Sequence, residues 1–436
     1  MSHVVVLGGG STGEHFVGAL RRLDRSTRLT LVERRLVGGE CSYFACMPTK
    51  TMLRAPELVA SSHLTRDAVE GAQLVAQNAF AWRDLVAERD DASQVEWLAR
   101  RDCELVRGDG VVREPGVMEV DGTELRYDKL VVATGSSPRV PPIAGLEDVG
   151  YWTNREATET LEVPGRLAVL GGGPVGCELA QFFQRAGSQV TIVEGDRLLA
   201  RVDADASVCI AHALQADGVD LRLGVRAEKA ASGNLALSDG TDLPFDRLLV
   251  ATGRVPNVEG LEPLGLEISQ RGIEVDERMR ARGAENVWAL GDVNGLAQFT
   301  HVGKYQARIA AYDMIGRDVR ADYRAIPATV FTDPQVATVG QTDGGVSSTW
   351  DLRSVPRLST YERPKRPGFI KVVADPERRV LTGAVAVGPE AGEWLQQLTL
   401  AIRAETPIDV LLDVIPPYPT FSEGIFLALR ELNFDL

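Results

Sequence analysis

The stretches His3–Leu23, HVVVLGGGSTGEHFVGALRRL, and Arg166–Gly187, RLAVLGGGPVGCELAQFFQRAG, share one plan: an apolar strand, a glycine turn and a helical pattern. Each leads to a second apolar strand that ends in an acid, RLTLVE at Glu33 and QVTIVE at Glu194. Those acids stand 20 and 18 residues beyond the last glycine of their turns, close to the spacing of a dinucleotide-binding βαβ unit. In Gly8-x-Gly10-x-x-Gly13 the first glycine permits the tight turn, and the second lets the backbone approach a pyrophosphate. The third lets the helix pack closely on the strand, while the helix N-terminus offers N–H groups to the anion. Gly171-x-Gly173-x-x-Gly176 repeats the pattern. One such turn can be purely structural; two, each followed by its carboxylate, imply two dinucleotides, most economically a flavin and a nicotinamide. Glu194 is expected to bond the adenosine ribose and repel a 2′-phosphate, which favours NADH. Arg197 nearby leaves NADPH possible.

The duplication extends to a third strand, YDKLVVATG after the first unit and FDRLLVATG after the second. Helical patterns from about Met52 to Arg101 lie inside the first unit, and PRVPPIAG at Pro138–Gly145 reads as a linker. VWALGDV, Val287–Val293, precedes another helix pattern through Ile315. From about Arg324 the texture changes to strands joined by turns and followed by helices, the mark of a separate α+β domain.

A chain of 436 residues exceeds one hydrophobic core and implies roughly two to four domains. With 47 basic and 61 acidic side chains, the net charge of −14 argues against nucleic acid or an anionic membrane as partner. No apolar run approaches the roughly 18 residues of a membrane span. The start, MSHVVVLGGG, lacks signal-peptide features, so a cytoplasmic location is expected. Five cysteines do not make a disulfide scaffold here.

GGECSYFACMPTK, Gly38–Lys50, places Cys41 and Cys46 five positions apart beside a possible helix start at Pro48. A helix N-terminus would favour a thiolate there. The pair admits two readings, a redox couple or two inert core thiols, since free cysteine is commonly buried. The spacing does not suit zinc and no second Cys/His pair follows, so no metal site is expected. Cys103, Cys177 and Cys209 lack such a context and read as core or helix residues.

With these motifs together, the chain resembles the FAD-dependent pyridine nucleotide–disulfide oxidoreductases over nearly its whole length. The resemblance rests on both glycine turns, GGECSYFACMPTK, VVATGSSPR, VATGRVPN, VWALGDV, VFTDPQVATVG and YPTFSEG. It implies an α/β protein with two Rossmann-like domains and a C-terminal α+β dimerisation domain. The expected division is 1–150 for FAD, with a helical segment 52–101, and 151–260 for NAD(P)H. Residues 261–323 would complete the FAD domain and 324–436 would form the interface. It implies FAD on the first turn, with Glu33 on its ribose and Asp292 on the ribityl and phosphate region, and NAD(P)H on the second. Further cofactor contacts carry over to Gly39, Thr134, Gly135, Thr300, His301 and Gly253; His301 reads as cofactor contact or structure. Cys46 would face the flavin and Cys41 the substrate, with Lys50 beside the flavin and Glu178 as its ion-pair partner. A homodimer is implied, whose C-terminal segment completes the partner's site.

The chain departs from the pattern at PPYPTFSEG, where Tyr418 stands at the position of the usual acid–base histidine while Glu423 is retained. None of His3, His15, His63, His212 and His301 lies in this segment. A histidine near pKa 6.5 accepts a proton at neutral pH, and an unperturbed tyrosine near 10 mostly does not. Dithiol oxidation should therefore be poor, whereas disulfide reduction needs only a proton or hydrogen-bond donor such as Tyr418. Mercuric reductases also carry a tyrosine here; the expected lack of a C-terminal cysteine pair and of an N-terminal metal-binding domain places Hg(II) second. Tyr43 and Phe44, between the cysteines, either line the substrate side or pack. The resemblance also implies a helix after Gly340, although QTDGGVSSTWDLRS shows no helical pattern. The expected reaction runs from NADH through FAD to the Cys41–Cys46 disulfide and then to a small-molecule disulfide or other thiol-reactive electrophile. The alternatives are a quinone-type flavin reductase, a mercuric reductase-like enzyme, or a slow flavin-bound redox sensor or binding protein.

Overall fold

The computed structural model describes residues 2–62, 69–361 and 368–434; His63 lies outside them. The chain forms two compact units. The first comprises Met1–Pro48, Asp84–Arg139 and Arg254–Asp322. The second comprises Thr49–Arg83, Val140–Gly253 and Tyr323–Leu436.

The first unit is built on a five-stranded parallel sheet in the order Val287–Ala289, Lys129–Val132, His3–Leu7, Arg28–Glu33, Cys103–Arg107. Its central strand HVVVL is apolar along almost its whole length because parallel sheets are covered on both faces. Register sets Leu7 opposite both Val32 and Val132, so three strand ends converge on the first glycine turn. Helix Ser11–Leu23 leaves that turn and packs along helix Thr300–Met314. Val5, Leu7, Val32, Leu130, Val132 and Ala289 fill the core on one side of the sheet.

The second unit repeats the design with a four-stranded parallel sheet, Asp220–Leu223, Gln189–Glu194, Arg166–Leu170 and Arg247–Val250. Its C-terminal part is a five-stranded antiparallel sheet in the order Pro327–Val330, Gln335–Gly340, Val380–Gly388, Phe369–Asp375, Val346–Asp351. Helices Gln396–Arg403 and Phe421–Arg430 lie against that sheet. The helix expected after Gly340 is absent there, and Val346–Asp351 pairs as an edge strand with Phe369–Asp375. Gly344 and Gly345, at φ 76° and 70°, reverse the chain just before it. The sequence VSSTWD is rich in β-branched and aromatic residues, which favour strand over helix. No described helix is long and apolar enough to cross a membrane.

Candidate functional site

The three glycines of each turn occupy three different environments. Gly8 and Gly171 both take φ +105°, and a Cβ on either would strike the carbonyl of Ala133 or Ala251. A Cβ on Gly13 would lie 2.1 Å from Gly8 O, and one on Gly176 2.0 Å from Gly171 O, so the helix packs too closely for any side chain. Gly10 and Gly173 instead face open space: the nearest atom to a Cβ is Gly39 Cα at 3.9 Å for Gly10, and nothing lies within 4 Å for Gly173. Helices Ser11–Leu23 and Pro174–Arg185 both start with no side-chain cap, which leaves their first N–H groups for an anion. This open, glycine-lined start of a helix fits the pyrophosphate of a dinucleotide in both units.

The two acids are held in the same way. Gly9 N–H donates to Glu33 Oε2 and Arg35 N–H to Glu33 Oε1, both at 2.7 Å. Gly172 N–H donates to Glu194 Oε2 at 2.7 Å and Asp196 N–H to Glu194 Oε1 at 3.0 Å. Each carboxylate is thereby fixed to its own glycine turn. Arg197 has its guanidinium on the carbonyls of Leu199, Ala200 and Val202.

In the first unit, Asp292 lies in the short 3₁₀ turn Gly291–Asn294 after strand Val287–Ala289. Ser136 Oγ donates to Asp292 Oδ2 at 2.6 Å, and Arg254 Nε donates to Ser136 Oγ at 2.7 Å. The strand pairing of Ser136–Pro138 with Arg254–Pro256 brings these residues together. Thr134 Oγ1 donates to Asn257 O, and Gly135 O accepts from Asn257 N–H, so the same segment is tied down. Gly135 faces open space, as does Gly253 in the second unit.

Cys41 and Cys46 form a disulfide, with Cα atoms 4.7 Å apart. Cys41 lies in the short helix Gly39–Tyr43, and Cys46 begins helix Cys46–Ser62. Cys46 Sγ is 3.7 Å from Thr300 Oγ1 at the start of helix Thr300–Met314. Gly39 packs onto Gly10 so closely that a Cβ would lie 2.7 Å from Gly10 Cα. Gly38 N–H donates to Gly9 O at 2.8 Å, which ties the cysteine segment to the first turn. Tyr43 is buried, so of its two expected roles it packs. The other three cysteines are buried free thiols, and burial pushes Cys103 up to about 12 and Cys209 up to about 11 and raises Cys177 as well. His301 is exposed and stacks on Phe299.

In the second unit, Lys50 Nζ donates to Glu178 Oε2 at 2.6 Å, and Phe331 N–H donates to Glu178 Oε1 at 2.8 Å. Glu178 is 3% exposed and Lys50 34%, so the pair is not a solvated surface pair. Lys50 Nζ also stands 4.8 Å from the centre of the Phe331 ring. Lys50 follows Cys46 by four residues on one helix, hence by about one turn on the same face. Gln181 and Arg185 continue the Glu178 face of their helix. Gln181 exchanges bonds with Asp333 N–H and O, and Arg185 reaches Asp333 Oδ2 at 3.0 Å and Asp217 Oδ2 at 2.8 Å. This buried row fastens the Phe331–Asp333 loop onto the helix. The spacing 178, 181, 185 was the signal for it, and the sequence reading took only Glu178. Ser136, Arg254 and Phe331 were missed too: each lies in a quoted motif, VVATGSSPR, VATGRVPN or VFTDPQVATVG, but its partner comes from a distant segment.

Tyr418 is 74% exposed, and Val414 and Ile415, shortly before it in the chain, are exposed too. Glu423 lies in the first turn of helix Phe421–Arg430. Its Oε2 is buried and has no hydrogen-bond partner among the described residues. Among those residues no cluster of three or more His, Cys, Asp or Glu could hold a metal.

Residues 2–311 match the family model of the pyridine nucleotide-disulphide oxidoreductases, and residues 326–428 match that family's dimerisation domain. A mercuric reductase from Acidithiobacillus ferrooxidans is 37% identical, over 100% of this chain and 83% of its own length. A dihydrolipoyl dehydrogenase from Thermus scotoductus is 32% identical, over 99% of this chain and 97% of its own. Among solved structures, LpdA from Mycobacterium tuberculosis superposes with a TM-score of 0.89 at 26% identity, covering 99% of each chain. The Cu(II) complex of the HOCl-induced flavoprotein disulfide reductase RclA from Escherichia coli gives 0.86 at 27% identity, covering 98% of this chain and 99% of that one.

Proposed function

This chain belongs to the pyridine nucleotide–disulphide oxidoreductase family, and we propose that it uses NADH to reduce a small-molecule disulfide or another thiol-reactive electrophile. It is an FAD-dependent oxidoreductase with Cys41–Cys46 as its disulfide, and its dimerisation domain fits a homodimer. The observation that carries the substrate class is that disulfide, tied through Gly38 to the glycine turn whose acid is Glu33. The assignment of 1–150 and 261–323 to FAD, 151–260 to the nicotinamide and 324–436 to the dimer interface belongs to the same proposal.

FAD, when bound, supplies two-electron transfer between the nicotinamide and the disulfide. The Gly8–Gly13 turn, Glu33 and Asp292 would hold it, with Gly39, Thr134, Gly135, Thr300 and His301 beside it. The Gly171–Gly176 turn, Glu194 and Gly253 would hold NADH. Glu194 repels a 2′-phosphate, and the Arg197 guanidinium is already engaged by three carbonyls, which supports NADH over NADPH. Two electrons open the S–S bond into two sulfur nucleophiles. The start of helix Cys46–Ser62 and the Thr300 hydroxyl favour negative charge on Cys46. Cys41 attacks a substrate R–S–S–R′, forming a mixed disulfide and releasing R–S⁻, which takes up a proton. Cys46 then attacks Cys41, which restores the intramolecular disulfide and releases R′–S⁻. Tyr418 and Glu423 of the partner subunit supply the proton or hydrogen bond in this reading, and Glu423 Oε2 has no hydrogen-bond partner among the described residues.

Cys41→Ser tests the route. Loss of disulfide reduction with retained NADH-dependent quinone reduction is the expected result; unchanged activity on every acceptor would refute it. Hg(II) is the second reading, favoured by relatives named mercuric reductase, and Hg(II)-dependent oxidation of NADH or NADPH by the purified protein decides it.

A further inference from the structure

Val37, just before the Gly38–Gly39 turn, is fully buried, and side chains rather than a strand or helix hold both of its backbone polar groups. Tyr43 Oη donates to Val37 O at 2.7 Å, reaching back six residues from between the two cysteines. Asp91 Oδ2 accepts from Val37 N–H at 2.7 Å and is itself paired with Arg107. The Tyr43 ring, 2% exposed, covers the turn so closely that a Cβ on Gly38 would lie 2.9 Å from its Cε2. The helix that carries Cys41, Gly39–Tyr43, has five residues, too few to be stable without such anchors. Cys46 needs no such support, because it starts a helix of 17 residues.

We propose that Tyr43, with Asp91 and Arg107 behind it, is a positioning residue that holds Cys41 within reach of Cys46 whenever their disulfide is open. This rests on Cys41–Cys46 being the working redox pair. While the S–S bond exists, the cross-link itself confines Cys41 and the anchor is redundant. Once the bond opens, the Tyr43–Val37 bond keeps the segment from spreading and preserves the effective concentration of one sulfur toward the other. Removing the anchor therefore releases conformational freedom mainly in the dithiol and makes the disulfide easier to reduce. The Gly38–Gly9 backbone bond survives the change, so the fold does not depend on the phenol alone.

The test equilibrates FAD-loaded protein anaerobically in mixtures of reduced and oxidised dithiothreitol. One dithiothreitol dithiol closes to its cyclic disulfide as the protein S–S bond becomes two thiols. Free Cys41 and Cys46 are then counted by alkylation and mass spectrometry. Tyr43→Phe should reach half-reduction at a roughly fivefold lower ratio of reduced to oxidised reagent, the scale of one net hydrogen bond. Arg107→Gln, which loosens Asp91, should shift it in the same direction by roughly twofold. A merely structural tyrosine would lower the melting temperature and leave the midpoint in place; that result, or a shift to higher ratios, overturns the proposal. Failure of the redox reading looks different: the wild-type pair would then open without any effect of Cys41→Ser on turnover.

Discussion

The pair Lys50–Glu178 can be measured by replacing Glu178 with Gln, Lys50 with Met, and both together. At 2.6 Å and an effective dielectric near 20, the gross attraction is about 6 kcal/mol, much of it offset by desolvation of the two charges. Lys50→Met leaves a carboxylate that is 3% exposed, with the Phe331 N–H still donating to it, and should cost about 3 kcal/mol. Glu178→Gln is milder, about 1.5 kcal/mol. The amide oxygen still accepts from Phe331 N–H, and water can reach the one-third-exposed Lys50. The double variant removes both charges and should cost about 2 kcal/mol, which gives a coupling of about 2.5 kcal/mol. Urea unfolding of FAD-loaded protein at pH 7.5, followed by tryptophan fluorescence, provides the comparison among transitions of equal slope. Additivity within about 0.5 kcal/mol would show that the contact carries no energy and refute the reasoning.

Burial pushes Glu14 up to about 7 from 4.5, with Lys304 opposing and the Asp91 charge adding. The unfolded chain loses this proton first, so the native state loses stability as pH rises from about 4.5 to 7, by at most about 3 kcal/mol. Glu14→Gln should match wild type at pH 4.5 and melt higher at pH 8; a difference that does not change with pH contradicts the assignment. Glu194→Gln should narrow the ratio of kcat/KM for NADH over NADPH by about tenfold, roughly 1.4 kcal/mol, and an unchanged ratio removes Glu194 from cofactor choice. Gly13→Ala and Gly176→Ala separate the two turns, since each Cβ would meet a carbonyl at about 2 Å. The first should abolish FAD retention, read from the absorbance ratio of purified protein. The second should keep FAD and lose reduction by NADH, and the reverse outcome would exchange the two sites.

The two glycine turns, their acids and the cysteine pair were legible because each is a local requirement. A φ of +105° at Gly8 and Gly171, and a helix packed against a carbonyl at Gly13 and Gly176, restrict the residue type at fixed spacing. The pairing of Lys50 with Glu178 came through the resemblance, but the Phe331 N–H that shares the carboxylate is 153 residues away, in VFTDPQVATVG, a motif that does not itself point to Glu178. Gln181 and Arg185 looked like ordinary polar positions until the Asp333 loop was folded over them. Residues 346–351 form a strand rather than the expected helix because Phe369–Asp375 offers them an edge to pair with. Arg197 could have met a phosphate until its loop turned three carbonyls toward it. Tyr43 is the sharpest case. The sequence placed an aromatic ring between two redox cysteines and left its direction open. Only the fold brings Val37 O within 2.7 Å of its hydroxyl, because a side chain's partner depends on backbone that arrives from elsewhere in the chain.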